Sequence, residues 1–266
     1  MKYKQAEKTF KEFINKYDKT NVNIQRKINH SYGVSRKSKY LAKKLKLDKE
    51  NIELAKMIGL IHDIGRFEQE KIMKTFVDSD KFDHAKYACE LLFENNMIRK
   101  FIEEEKYDKI IKTAIENHNK LKIDEGLTEN ELLHAKIIRD ADKLDNFRIR
   151  KSMKLDAIFE NCNSISGFYE EKISEKVYKD FMEHKSICKK DIKTFLDQWI
   201  CLLAFIYDFN FDESLKFVKN KKYIDILVKK IKIKDERTKS QMEEIRKEAK
   251  EYINEKCNNK LWKKIH

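Results

Sequence analysis

Four histidines lie where a helical chain would turn them inward. His62 follows Ile58 by four residues and Leu54 by eight, and His118 follows Ala114 by four and Ile111 by seven, so each shares a 3.6-period apolar face with its neighbours. His84 opens the face continued by Tyr87, Ala88, Leu91 and Leu92, and His30 sits four before Val34 and eleven before Leu41. A buried imidazole needs its nitrogens satisfied and a buried carboxylate must be paired or metal-bound, because either is costly to desolvate alone. An ordinary hydrogen bond explains one such histidine. Several of them, with the adjacent pair His62-Asp63, point to metal. Ile64-Gly65 follows the pair at once and reads as a helix-ending signal, which puts the pair at the mouth of a cavity.

The elements that must position these residues are helices. The 266-residue chain has no proline and only five glycines, so long helices can run between short polar turns and an all-α fold follows. Apolar residues recur at three and four in Leu54, Met57, Ile58, Ile61 and in Ile192, Phe195, Leu196, Trp199, Leu203, Ile206. Thr128 and Glu131 form a capping-box pattern that starts a helix running to about Leu144. That helix carries two aspartates that periodicity does not separate: Asp140 shares a face with Leu133 and Ile137, and Asp142 with Ile138. Turn-forming residues in NCNSISGFYE, at 161–170, mark a boundary between a core of residues 1–160 and a C-terminal helical extension, 161–266, packed on it. The extension ends in ERTKSQMEEIRKEAKEYINEKCNN, whose alternating charges suit a solvent-exposed helix.

The segment IGLIHDIGRFEQ, with an upstream histidine in NHSYGVSRKSKYLAKKL and a downstream aspartate in IIRDADKLDNF, resembles the HD superfamily of metal-dependent phosphohydrolases over about residues 26 to 150. The ordered set H, HD, H, H, D carries the resemblance. It implies an HD-domain helical bundle with additional C-terminal helices, in which His30, His62, Asp63 and Asp142 hold one metal. His84 in FDHAKYACELL and His118 in AIENHNK then match the dinuclear branch, with Asp63 bridging both ions. The resemblance prefers Asp142 to Asp140 as ligand, leaving Asp140 and Asp145 either to hydrogen-bond a ligand or a basic residue or to stand as surface carboxylates. Imidazole and carboxylate without thiolate suit two divalent transition-metal ions, among them manganese, iron, cobalt, nickel and zinc, without choosing between them. Such a pair, roughly 3.5–4 Å apart, activates water and stabilises phosphoryl oxygens. Asp63 is then catalytic as well as a ligand. Three basic residues adjoin ligands: Arg66 three after Asp63, Lys120 two after His118 and Lys143 directly after Asp142. All three are candidates to bind substrate phosphate, and Arg66 and Lys143 to take part in catalysis. Arg66 stands first, because a basic residue at its position commonly touches phosphate in related enzymes and a guanidinium can do so bidentately. His134, His184 and His266 fit no such pattern.

Composition narrows the remaining classes. The five cysteines, Cys89, Cys162, Cys188, Cys201 and Cys257, form no CxxC pair and read as reduced, mostly buried thiols. The N-terminus lacks the apolar stretch of a signal peptide, and the longest apolar run, WICLLAFIY, is far shorter than the ~20 residues that cross a bilayer. A cytoplasmic protein without membrane contact is expected. The net charge of +13 comes almost entirely from scattered lysines, which suit a solvated surface better than specific nucleic-acid recognition and still attract an anionic substrate. No GxxxxGK[ST] phosphate loop and no GYP signature of cyclic dinucleotide phosphodiesterases occurs. The expected activity is hydrolysis of a phosphate ester or phosphoanhydride of a nucleotide or other small anionic metabolite. Two alternatives use the same fold: a diiron oxygenase with the same six ligands, and a non-catalytic module reading a nucleotide or RNA. The complete ligand set argues against the module.

Overall fold

With so few breakers, several helices start on side-chain caps. Asn21 accepts from the backbone N–H groups of Asn23 and Ile24, Asp48 from that of Asn51, Asp83 from those of Ala85 and Lys86, and Thr194 from that of Asp197. The computed structural model describes residues 3–76, 82–154 and 169–258, and these are helices, turns and loops without a strand. The boundary expected at 161–170 lies largely outside the described residues, as do Cys162 and His266. The chain divides into two units, residues 1–145 and 146–266.

The first unit holds α1 (Tyr3–Ile14), α2 (Val22–Lys44), α3 (Lys49–Ile61), α4 (Gly65–Met73), α5 (His84–Cys89), α6 (Ile98–Phe101), α7 (Asp108–Asn117) and most of α8 (Glu129–Ser152). A π-helical turn, Glu90–Glu94, extends α5. The capping box at Thr128 and Glu131 forms as expected, but α8 runs on past Leu144 to Ser152. Helices α2 and α3 pack closely because Gly59 has no side chain: a Cβ there would stand 2.9 Å from the Ser35 backbone. Phe67 anchors α4. Its ring meets Phe10, Phe13 and Tyr17 at centroid distances of 6.0, 5.8 and 5.4 Å, edge-on to the first two and tilted against Tyr17, and Tyr17 Oη donates to Glu68 Oε1 at 2.6 Å.

Gly65 serves differently from the expectation. Helix α3 already ends at Ile61, before the His62-Asp63 pair, and Gly65 opens α4 instead of stopping a helix. Its lack of a side chain permits a close approach, since a Cβ would fall 2.3 Å from the His84 carbonyl oxygen. The start of α4 and the start of α5 are thereby brought together.

The second unit holds the end of α8, then α9 (Glu175–Met182), α10 (Phe195–Leu203), α11 (Asp212–Asn220), α12 (Tyr223–Lys230) and α13 (Glu236–Asn258). The expected solvent-exposed tail helix, α13, is exposed on one side only. Thr238, Met242, Ile245, Ala249 and Ile253 form a buried stripe, and α13 packs against α9, α11 and α12. No described helix is long and apolar enough to cross a membrane. Cys89, Cys188, Cys201 and Cys257 are unpaired, and burial pushes the Cys89 and Cys201 thiols up to about 12 and 11, so neither carries thiolate at neutral pH.

His134 belongs to this packing. Its Nε2 meets Asn51 Oδ1 at 2.9 Å while Nδ1 is buried without a partner, and burial lowers its pKa from 6.5 to about 4. A histidine kept neutral in the folded state takes up its proton earlier on unfolding, so it withdraws stability as pH falls from 6.5 toward 4. His134→Gln should therefore flatten the pH dependence of urea-unfolding stability across that window; an unaltered slope would contradict the assignment.

Candidate metal centre

The centre is built by one element after another presenting a donor. His30 comes from the middle of α2, His62 and Asp63 from the turn between α3 and α4, His84 from the first position of α5, His118 from the cap of α7, and Asp142 from α8. All four imidazoles and Asp63 are buried. Two clusters have donor atoms within 4.8 Å of one another: His30, His62 and Asp63, and Asp63, His84 and His118. Asp63 is common to both, and its two oxygens divide between them. Oδ2 lies 3.6 Å from His30 Nε2 and 3.4 Å from His62 Nε2, whereas Oδ1 lies 3.4 Å from His84 Nε2 and 3.5 Å from His118 Nε2.

Asp142 joins the first cluster, with Oδ1 3.0 Å from His30 Nε2 and 4.0 Å from His62 Nε2. Periodicity left Asp140 and Asp142 equivalent; three-dimensional placement puts Asp142 against the histidines. Asp145 stands behind His30, its Oδ2 2.9 Å from Nδ1.

In three of the four histidines the ring nitrogen facing away from the centre is engaged. His30 Nδ1 donates to Asp145, His62 Nδ1 to the Gly59 carbonyl at 3.1 Å, and His118 Nδ1 to the Ile115 carbonyl at 2.6 Å. For His62 and His118, donation through Nδ1 leaves the Nε2 lone pair inward, the tautomer that ligates metal; His30, whose Nε2 faces Asp142 Oδ1, takes that form on losing its second proton. His62 Nε2 is buried with no hydrogen-bond partner, and the Nε2 atoms of His84 and His118 confront each other at 3.0 Å. Lone pairs and carboxylate oxygens crowded together need a cation, and imidazole with carboxylate is a donor set for divalent transition metals. The residues therefore fit the metals that the sequence implies.

The titrations follow the same logic. Burial drives His62 down to about 3. Burial and Lys27 push His30 down too, but hydrogen bonds to Asp142 and Asp145 outweigh them and lift it to about 9. Burial alone would raise Asp63 and Asp142, yet Lys27 and His62 hold Asp63 well below the usual carboxylate range, and His30 does the same for Asp142.

Exposure identifies the open side. The Asp142 side chain is 23% exposed, Lys27 15% and Arg66 14%, against at most 6% for the other five proposed ligands. Lys27 was not singled out from sequence: its Nζ donates to Asp63 Oδ2 at 2.7 Å and lies 5.1 Å from the Phe76 ring centroid. Arg66 has local partners, with Nη1 donating to Gln69 Oε1 at 2.6 Å and to the Phe76 carbonyl at 2.5 Å, while Nε is 3.9 Å from Asp63 Oδ1. Lys120 is an exposed residue bound to Asp124 at 2.6 Å, and Lys143 is buried.

Residues 28–146 match the family model described as HD domain. No curated protein matches the chain, and no solved structure does.

Gly33 is required by this arrangement, since a Cβ at that position would fall 2.1 Å from Asp145 Oδ1. Gly33→Ala should displace Asp145 from His30 and weaken metal binding about 10- to 100-fold, the usual cost of disturbing a ligand's hydrogen-bond partner. Calorimetric titration with Mn(II), beside a circular dichroism spectrum showing retained helix, measures it; unchanged affinity would mean that Asp145 does not orient the ligand.

Proposed function

Because residues 28–146 make this chain a protein of the HD superfamily, we propose that it is a metal-dependent phosphohydrolase acting on a phosphate ester or phosphoanhydride of a nucleotide or other small anionic metabolite. The observation that carries the proposal is the division of the Asp63 oxygens between two histidine pairs. His30, His62, Asp63 and Asp142 would hold one ion and Asp63, His84 and His118 the other. When bound, two such ions lower the pKa of water and stabilise negative charge on phosphoryl oxygens.

The chain's own residues supply the rest. Asp145, the Gly59 carbonyl and the Ile115 carbonyl fix three imidazoles in their orientation before any substrate arrives. Lys27, on the open side, offers an ammonium to a phosphate oxygen once an ion has taken its place on Asp63. Arg66 binds the Phe76 carbonyl and steadies the mouth of the site beside Lys27, so its contribution to phosphate binding is shared with a positioning one. The surplus of positive charge, +13 overall, favours approach of an anion.

Purified protein loaded with Mn(II) should release phosphate from nucleotides or phosphate esters under anaerobic conditions, and Asp63→Ala should abolish it. Dioxygen consumption without phosphate release would replace the hydrolase with a diiron oxygenase. Lys27→Met should keep both metals and lose roughly 10- to 150-fold in kcat/KM, as expected for removing a charge-assisted hydrogen bond worth about 1.5–3 kcal/mol. Unchanged kinetics would remove Lys27 from the substrate site.

A further inference from the structure

Helix α7 ends at Asn117 with His118 as its cap, so its end and the turn that follows adjoin the centre. The C-terminal turn of a helix leaves its final carbonyls without intrahelical donors and carries partial negative charge, so they take donors, preferably cationic ones, from elsewhere. Here a buried guanidinium supplies them. Arg139, only 4% exposed on α8, donates from Nη1 to the carbonyls of Asn117 and Lys120, the former at 3.0 Å, and from Nη2 to that of Leu121 at 3.1 Å. These three carbonyls bracket His118. The Asn117 side chain adds a second tie, donating to the Thr113 carbonyl at 2.9 Å and accepting from the Asp124 backbone N–H at 2.8 Å.

The bracketed turn is also joined to the other histidine of its pair. Asn119 Nδ2 donates to Asp83 Oδ1 at 3.2 Å, and Asp83 is the residue that caps α5, whose first residue is His84. One connected path therefore runs from Arg139 through residues 117–121 to His118, and through Asn119 and Asp83 to His84. His30 and His62 have their own supports in Asp145 and the Gly59 carbonyl.

We propose that Arg139 is a positioning residue for the second metal position: by binding the carbonyls of Asn117, Lys120 and Leu121 it holds His118 and, through Asn119 and Asp83, His84 at the distance an ion requires. This rests on the dinuclear reading of the site. Arginine is suited to the task because its planar fork serves three acceptors at once from a fixed position, whereas lysine offers one mobile ammonium.

The test uses the full chain and Mn(II) alone as probe, with metal analysis after dialysis at graded free Mn(II) and circular dichroism to follow helix content. Wild-type protein should bind two ions and His118→Ala one. Arg139→Lys should bind the first ion as wild type does and the second about 10- to 100-fold more weakly, the range seen when a ligand's supporting hydrogen bonds are lost. Arg139→Met should lose the second ion further; if its buried gap prevents folding, Arg139→Lys, which preserves charge and length, decides the matter. Arg139→Lys binding both ions as wild type overturns the inference alone. Equal weakening of both ions with loss of helix also overturns it, since that would mark a structural residue. Wild-type protein binding a single ion, unaltered in His118→Ala, overturns the dinuclear reading and the inference with it.

Discussion

An excess of acceptors is the constraint on which the rest of the first unit depends. Imidazole lone pairs and two carboxylates converge from five places in the chain, and each outward-facing nitrogen that donates fixes an inward-facing one that cannot. Such a cluster is unstable without positive charge, whether a proton on His30, the ammonium of Lys27 or metal ions. The surrounding helices are arranged to keep the acceptors facing one another in spite of this: two glycines give up side-chain volume where Asp145 and the His84 carbonyl press closest, and an aromatic cluster around Phe67 holds α4 against α1. Folding energy from apolar burial, about 1.5–3 kcal/mol for each large side chain, offsets the local cost of bringing like groups together.

Much of this was legible in the sequence where burial and periodicity coincide. The apolar faces placed His62 and His118 inside, and the capping box located the start of α8. Periodicity failed where two residues on one helix were both flanked by apolar neighbours. Asp140 is fully buried and the Asp142 side chain is 23% exposed, so burial alone favours Asp140; the 3.0 Å distance from His30, on another helix, favours Asp142, and no single-helix pattern contains that distance. Gly65 was misjudged for a similar reason, because a close approach to the backbone of α5 leaves the same mark in the sequence as a helix stop.

Lys27 and Arg139 escaped for opposite reasons. Lysine is so abundant here that one more, three residues before His30, carries little information, although i, i+3 spacing does put the two on one helical face. Arg139 offered a usable signal: only nine of the 59 basic residues are arginines, and this one sits directly after Ile137-Ile138 in a buried stretch. A scarce, always-charged side chain on an apolar face requires fixed acceptors, and carbonyls at a helix end provide them.

Arg139, Asp142 and Asp145 follow one another at intervals of three along α8. Three residues fall 60° short of a full turn, so the three side chains wind about 120° around the helix while rising roughly 9 Å. Each meets a partner in a different place: a helix end for Arg139, and the two ring nitrogens of His30 for the aspartates. The segment 139–145 acts as a ruler with three marks. A single inserted or deleted residue between the marks would swing the later ones by about 100° and detach them together, so this stretch should change length in no descendant that keeps the centre, however freely its individual apolar residues are exchanged.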